Sequence, residues 1–322
     1  MAKAFVIHHD DQDGRLGGYI MIKYFENQGY EVSSMEADYE TVFDFPNLVE
    51  SGDKVGIVDY SLKPNVMADL QKIVDPSDII WVDHHKSAIE SYTDQANLDG
   101  IRFEGLAGCE LAYIYSQGYR IKHDTKCVNI AISNGEMEFI DIHNIEIPRP
   151  IKLVGDWDCW RQTEGSREMA FALRSYWDVN CIETDDGKHF WETYVEAQDG
   201  YLDELIREGI TIYRFNKAQF KTDCRNLAFP VKLRKFESFE CIAINSTCGS
   251  SLVFDSVKDR YEVGIVFRYF EYGVKKGMTI SLYRLGKNPD KRIDLSFVAK
   301  TFGGGGHPDA SGFSTSGTLP FA

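Results

Sequence analysis

Three short apolar segments in the first 85 residues each run directly into carboxylate and imidazole side chains, and no other feature restricts the fold as much. Ala4–His9 continues into His9-Asp10-Asp11-Gln12-Asp13-Gly14, Lys54–Tyr60 carries Asp59, and Asp78–His84 closes on Asp83-His84-His85. Between them a helix is expected over Leu16–Asn27, with Gly17 and Gly18 at its start, and Val66–Val74 has helical apolar spacing. Continuous apolar strands separated by helices predict a parallel sheet covered on both faces, because a half-exposed strand would alternate apolar and polar residues instead. In an open parallel sheet, ligands bind outside the carboxyl ends of the strands. Parallel neighbours of this kind would gather His9, Asp11, Asp13, Asp59, Asp83, His84 and His85 at one edge.

So many carboxylates at close range cannot all stay ionised without a compensating charge, and divalent cations supply it. Oxygen and imidazole donors with no thiolate suit Mn2+, or Mg2+ with its lower preference for histidine, better than a structural zinc. Two such ions about 3.5–4 Å apart, sharing a carboxylate, are the usual device for activating water against a phosphoester. A single aspartate at a strand end is ordinarily a helix cap or turn residue, and two adjacent histidines can arise by chance. The recurrence at three successive strand ends points to a metal centre.

Beyond this region a helix is expected over 107–117, then a hairpin whose strands, Cys127–Ser133 and Glu136–His143, flank Asn134-Gly135. Pro148 and Pro150 close that segment, and residues 165–221 are mainly helical. A second α/β unit follows, with strands Glu240–Asn245, Tyr261–Phe267 and Met278–Tyr283 and a helix Ile293–Phe302 that ends in Gly303-Gly304-Gly305-Gly306-His307. The expected division is 1–200 for a metal-binding domain, 201–225 for a connecting helix and 226–322 for a smaller α/β domain; 322 residues suffice for a core in each. Four consecutive glycines allow close backbone approach to a ligand and an amide nest for an anion, with a plain loop as the other reading. The aromatics of 157–191 read as core, with base stacking as the minor alternative. His8 should face away from His9, and His123, His143 and His189 read as surface or structural residues.

The formal net charge of −15 is the opposite of the basic footprint that grips long nucleic acids, so any nucleic-acid substrate is expected to be short. No apolar run reaches the roughly 18 residues of a membrane helix, and the N-terminal one is too short for a secretory signal. Seven scattered cysteines, without a CxxC pair, argue against a disulfide framework and a thiolate zinc site. The cytoplasm is the expected setting, with no membrane partner.

In order and approximate spacing, His9-x-Asp11-x-Asp13-Gly14, Asp59 and Asp83-His84-His85 resemble the first three motifs of the DHH phosphoesterase superfamily. Gly303-Gly304-Gly305-Gly306-His307-Pro308-Asp309-Ala310-Ser311-Gly312-Phe313 is similar to the glycine-rich signature of the DHH-associated substrate domain, so the resemblance spans nearly the whole chain. The superfamily includes RecJ-type nucleases, nanoRNases that also dephosphorylate pAp, cyclic-dinucleotide phosphodiesterases, family II pyrophosphatases and exopolyphosphatases. The resemblance implies a parallel-sheet N-terminal domain, a smaller α/β substrate domain and a cleft between them. It places His9, Asp11 and Asp59 on one metal and Asp13, Asp59 and His84 on a second, with Asp59 bridging. Asp83 would orient His84, and His85 would lie near the scissile phosphate.

A fourth motif supplies one more aspartate. Asp156 and Asp158, in Val154-Gly155-Asp156-Trp157-Asp158-Cys159-Trp160, both qualify, and the aromatic two residues later favours Asp158. Gly304, Gly305, Gly306 and His307 would contact substrate. Arg284 sits where the family often shows a Ser-x-Arg pattern, but one residue late, which turns it to the other face unless a bulge intervenes. The implied activity is hydrolysis of short oligonucleotides or small nucleotides by two-metal-activated water. The alternatives are a cyclic-dinucleotide, pAp, pyrophosphate or polyphosphate hydrolase, a RecJ-like single-strand exonuclease, or a non-catalytic binding member, against which the intact ligand set argues. No sensor, membrane or nucleic-acid-binding domain is expected to flank 1–322, which disfavours membrane-bound cyclic-dinucleotide enzymes and large RecJ-type nucleases. A homodimer is compatible with the resemblance, and the hairpin has no counterpart in the family pattern.

Overall fold

The first strand sets the sheet. β1 (Lys3–His9) sends Ala4 and Val6 into one core and Phe5 and Ile7 into another, the two-residue alternation of a strand buried on both faces. The computed structural model describes residues 2–38, 41–91, 98–121, 127–131, 137–247, 249–272, 275–288, 293–316 and 319–321. After β1 come α1 (Gln12–Glu26), β2 (Glu31–Ala37), α2 (Phe45–Leu48), β3 (Lys54–Val58), α3 (Pro64–Leu70), β4 (Ile79–Val82) and α4 (Lys86–Ser91). The strands pair in the order β2-β1-β3-β4, all parallel. The three strands read from sequence are therefore consecutive neighbours, and their carboxyl ends share one edge.

Two differences from the sequence reading shape that edge. β2 has no continuous apolar run, so its sequence gives no buried-strand signal; it lies on the outside of β1. α1 starts at Gln12 rather than Leu16, because the Asp11 side chain caps it by accepting from the Gly14 N–H at 2.8 Å. Asp13 thereby falls in the first helical turn.

The chain continues through α5 (Gly108–Ser116), β5 (Arg120–Ile121), β6 (Cys127–Ala131), β7 (Met137–Asp141), α6 (Arg149–Asp158), α7 (Ser166–Ser175), α8 (Asp185–Val195) and α9 (Asp199–Leu227). β6 and β7 form the expected antiparallel hairpin and β5 adds a third strand, while the Asn134-Gly135 turn lies outside the described residues. Leu16, Met21, Phe25, Leu111 and Trp191 build the core on one face of the parallel sheet; Ile57, Met67, Leu70 and Trp81 build the other. Each such side chain, fully buried, contributes about 1.5–3 kcal/mol, which fixes the register of the strands that carry the polar ends.

The chain divides into two compact units, Met1–Ile212 and Tyr213–Ala322, and the division falls within α9. The second unit holds β8 (Phe229–Val231), β9 (Cys241–Asn245), β10 (Val263–Tyr272), β11 (Lys275–Arg284), α10 (Leu295–Lys300), β12 (Gly305–Gly306) and β13 (Ala310–Thr315). Its sheet runs β12-β13-β11-β10-β9-β8, with only β9 and β10 parallel. The fold class is thus mixed α/β, a parallel sheet followed by a second, mixed one. Among the described residues no helix is long and apolar enough to cross a membrane.

Candidate metal centre

Asp59 follows β3 in a left-handed backbone conformation, φ 53°, that residues other than glycine seldom adopt. Its N–H donates to the Val82 carbonyl at 2.8 Å, which ties it to the end of β4. The neighbouring chain makes room for it at Gly108, the first residue of α5, where a Cβ would lie 2.5 Å from Asp59 Cβ. Strain of this kind persists only where surroundings over-determine it, and it clusters at functional sites.

Around Asp59 the strand ends converge on one imidazole. His84 Nε2 lies 3.0 Å from Asp59 Oδ1, 3.4 Å from Asp158 Oδ2 and 3.7 Å from Asp13 Oδ2. Asp13 is buried and turns both oxygens onto the amino end of α5, accepting from the Gly108 N–H at 2.6 Å and the Cys109 N–H at 2.8 Å. His9 stands at the outer side, with Nδ1 3.1 Å from the Ala37 carbonyl oxygen at the end of β2 and Nε2 4.0 Å from Asp11 Oδ2. The ligand atoms of Asp13, Asp59 and His84 all lie within 4.8 Å of one another, and all three residues are buried.

Burial and mutual repulsion govern the electrostatics of this cluster. Burial, then the charges of Asp13, Asp11, Asp158 and Asp83, push the Asp59 carboxyl well above the usual range. Burial and Asp158 push Asp13 up to about 6, and burial and Asp11 push Asp158 up to about 7. Burial and His85 pull His84 down to about 4, so its ring is neutral near pH 7 and keeps a nitrogen lone pair for coordination. Asp59 Oδ1 is buried and makes no hydrogen bond. Crowded carboxylates, a neutral imidazole facing them and an oxygen without a hydrogen bond fit a divalent cation of the Mn2+ or Mg2+ kind.

Asp83, expected to orient His84, also bonds the His85 ring. Its Oδ1 accepts from the His85 ring at 2.8 Å and from the backbone N–H groups of His84 and His85 at 2.8 and 3.1 Å. It therefore orients the His85 ring directly and holds the main chain of His84. Although burial pulls the His85 ring down, the Asp83 charge and hydrogen bond outweigh it and raise the ring to about 9, which makes His85 a cation at neutral pH.

The fourth motif separates cleanly in space. Asp158 ends α6 beside His84, whereas Asp156 accepts from Arg161 Nε at 2.5 Å and from the Thr163 hydroxyl at 2.5 Å. Asp156 belongs to a network with Arg161 and Glu110 that braces the loop after α6 against α5. Sequence reasoning missed Gly108, Cys109, Glu110 and Arg161. The helix itself was legible, but nothing in the chain's local pattern says that its amino end meets Asp13, 95 residues earlier.

The substrate residues expected in the second unit need correction. Arg284 pairs with Asp309 through its guanidinium, so it is not held open for a phosphate. The glycine run is not an amide nest: Gly303 and Gly304 donate to the Lys300 and Ala299 carbonyls, His307 donates to Ala310, and Gly305 and Gly306 pair with Gly312 and Ser311. Its glycines answer a packing need, because a Cβ on Gly304 would sit 2.0 Å from the Gly312 carbonyl oxygen.

No protein-family model matches the sequence, and the comparison with curated proteins finds no match. Among solved structures, a DHH-domain protein described as a member of the s1p family of ribosomal proteins shares the fold: TM-score 0.57, 13% identity, covering 97% of this chain and 82% of that one. The chain is also similar to RecJ in complex with Mn2+ from Thermus thermophilus, with TM-score 0.46, 13% identity and coverage of 97% and 49%. An uncharacterized protein from Helicobacter pylori matches with TM-score 0.41, 15% identity and coverage of 99% and 95%. The fold is that of a DHH-domain protein.

Proposed function

We propose that this chain, built on the fold of the DHH-domain proteins, is a divalent-metal-dependent phosphoesterase that acts on short oligonucleotides or small nucleotides. The observation that carries the reading is His84 Nε2 standing 3.0–3.7 Å from Asp59, Asp158 and Asp13, with Asp59 Oδ1 buried and lacking a hydrogen bond. His9, Asp11 and Asp59 are the residues to hold one ion, and Asp13, Asp59, Asp158 and His84 a second. When bound, two such ions supply Lewis acidity at the phosphoryl group and make water nucleophilic near neutral pH.

The remaining work falls to the chain itself. The α5 amides fix both Asp13 oxygens, and the left-handed turn at Asp59 aims its carboxylate inward. His85, cationic and held by Asp83, would balance charge on the non-bridging phosphoryl oxygens. His307, with Gly304 to Gly306 beside it, remains proposed for substrate contact through its side chain. Mn2+ is the expected metal because two imidazoles take part, with Mg2+ as the weaker substitute.

The test is a panel of short RNA and DNA, pAp, cyclic dinucleotides and pyrophosphate, assayed with Mn2+ and after chelation. Hydrolysis of nucleotide substrates that chelation abolishes is the expected result. Asp59→Ala should leave less than about a tenth of the rate, because a shared ligand serves both ions. A variant that keeps more would remove Asp59 from the bridging position, and hydrolysis of pyrophosphate alone would move the substrate class.

A further inference from the structure

The aromatic stretch after α6 does not wholly enter the core. Trp191 is fully buried and Phe171 nearly so, but Trp160 is 46% exposed. It stands two residues beyond Asp158, so its Cα lies within about 7 Å of that residue's Cα. The intervening Cys159 places its sulfur 3.8 Å from His84 Nδ1, which keeps the segment against the metal centre. A partly exposed indole thus stands two residues from Asp158, in a segment that meets His84.

The loop that presents it is tied down by hydrogen bonds. Trp160 and Gln162 both take left-handed backbone conformations, φ 56° and 50°. The Trp160 N–H donates to Trp157 at 3.0 Å and the Gln162 N–H to Asp156 at 3.1 Å. Arg161, between them, donates to Asp156, to Glu110 at 2.7 Å and to the Gly105 carbonyl at 2.9 Å. Trp157 backs the Trp160 ring at a centroid distance of 4.9 Å and is itself packed against Phe171. A large exposed apolar ring, held two residues from a carboxylate of the proposed metal centre, matches what single-strand binding surfaces use: stacking gives affinity without reading the base.

We propose that Trp160 is the platform on which the nucleobase next to the scissile phosphate stacks, so that the site takes nucleotides in preference to inorganic pyrophosphate or polyphosphate. This rests on the phosphoesterase reading above and narrows its substrate class. Because every base has a π-face, the platform predicts little discrimination among the four bases.

The experiment uses the full-length, Mn2+-loaded chain with a dinucleotide and its counterpart lacking the base next to the scissile phosphate. Trp160→Leu should raise KM for the dinucleotide about tenfold or more, the usual range for losing one base stack. KM for the abasic counterpart should stay unchanged, with bound metal intact, and Trp160→Phe should restore most of the difference. An equal loss on both substrates would make Trp160 a packing residue and overturn the proposal, as would no change on either. AMP titrated into the Mg2+-loaded protein gives a second readout: saturable quenching of the wild-type tryptophan fluorescence that is lost in Trp160→Phe. If the wild type hydrolyses neither substrate, the phosphoesterase reading falls, and the quenching difference still decides the stacking; its absence rejects the platform.

Discussion

Gly108 and Asp59 must be considered together, because each occupies space the other needs. A methyl group on Gly108 would approach Asp59 Cβ to 2.5 Å and its Cγ to 2.9 Å, and the same residue's N–H holds Asp13. Alanine ordinarily favours a helix over glycine by about 1 kcal/mol, but here the clash dominates. Gly108→Ala should cost about 1–3 kcal/mol in stability by overpacking and lower Mn2+ affinity about 10- to 100-fold, as displaced metal-site supports do. Urea melts and calorimetric titration measure the two separately; normal Mn2+ binding in Gly108→Ala would take Asp59 out of the ligand set. A different residue governs acid stability. Burial pushes the Glu183 carboxyl up, but the hydrogen bond and charge of the buried His8 pull it further down, from 4.5 to about 2. A depressed carboxylate stabilises the folded state above its unfolded pKa, and that stabilisation is lost as pH falls through the folded one. The contribution, about 1–2 kcal/mol once solvent screening of the partly exposed carboxylate is allowed for, should therefore be complete above pH 4.5 and vanish toward pH 2. Stability of the wild type minus that of Glu183→Gln, followed across this range, should shrink toward zero, and a constant difference would remove the pair from the acid response.

Elements differ in how plainly the chain announces them. β1, β3 and β4 are continuous apolar runs with polar ends, so both the parallel sheet and its edge of carboxylates and imidazoles were legible. β2, β8 and β13 were not, because edge or mixed-sheet strands such as Glu31–Ala37 alternate only weakly and depend on their neighbours for identity. α1 was read to start at Leu16 because its apolar face begins there, whereas its true start is set by a capping hydrogen bond at Asp11. What no local pattern could reveal is the bracing between α5 and the loop after α6. Arg161 joins Glu110, fully buried, to Asp156, and Gly155 leaves room for the Glu110 carboxylate. Removing one partner of a buried pair strands the other charge, and that is the larger part of its cost. Arg161→Met should accordingly lose about 2–4 kcal/mol, the lower part of the buried range because the arginine is partly exposed. The double variant Arg161→Met, Glu110→Gln should recover more than about 1 kcal/mol of it. Purely additive losses in chemical denaturation would mean that the two residues act independently.

Across the whole molecule, acidic residues outnumber basic ones 50 to 35, and many of the bases are already spoken for. Arg15 pairs with Glu36, Lys54 with Asp78, Arg149 with Asp199 and Asp203, Lys287 with Glu240 and Arg284 with Asp309. The net charge and these pairs argue against a continuous cationic track of the kind that releases counterions along a long phosphodiester chain. Affinity for a polynucleotide must then come from the proposed metal centre and from contacts within a few nucleotides of it. Two consequences can be measured together in a length series at fixed Mn2+ with salt varied. Oligonucleotides of about two to five residues should be cut faster than chains of twenty or more, one nucleotide at a time. The slope of log affinity against log salt should be shallow, about −1.4 to −2.1, because the slope for single strands is about −0.7 per phosphate neutralised and only two or three would be engaged. A steep slope with faster, processive degradation of long strands would instead require a basic track that these pairings do not offer, and would move the protein toward a long-strand exonuclease.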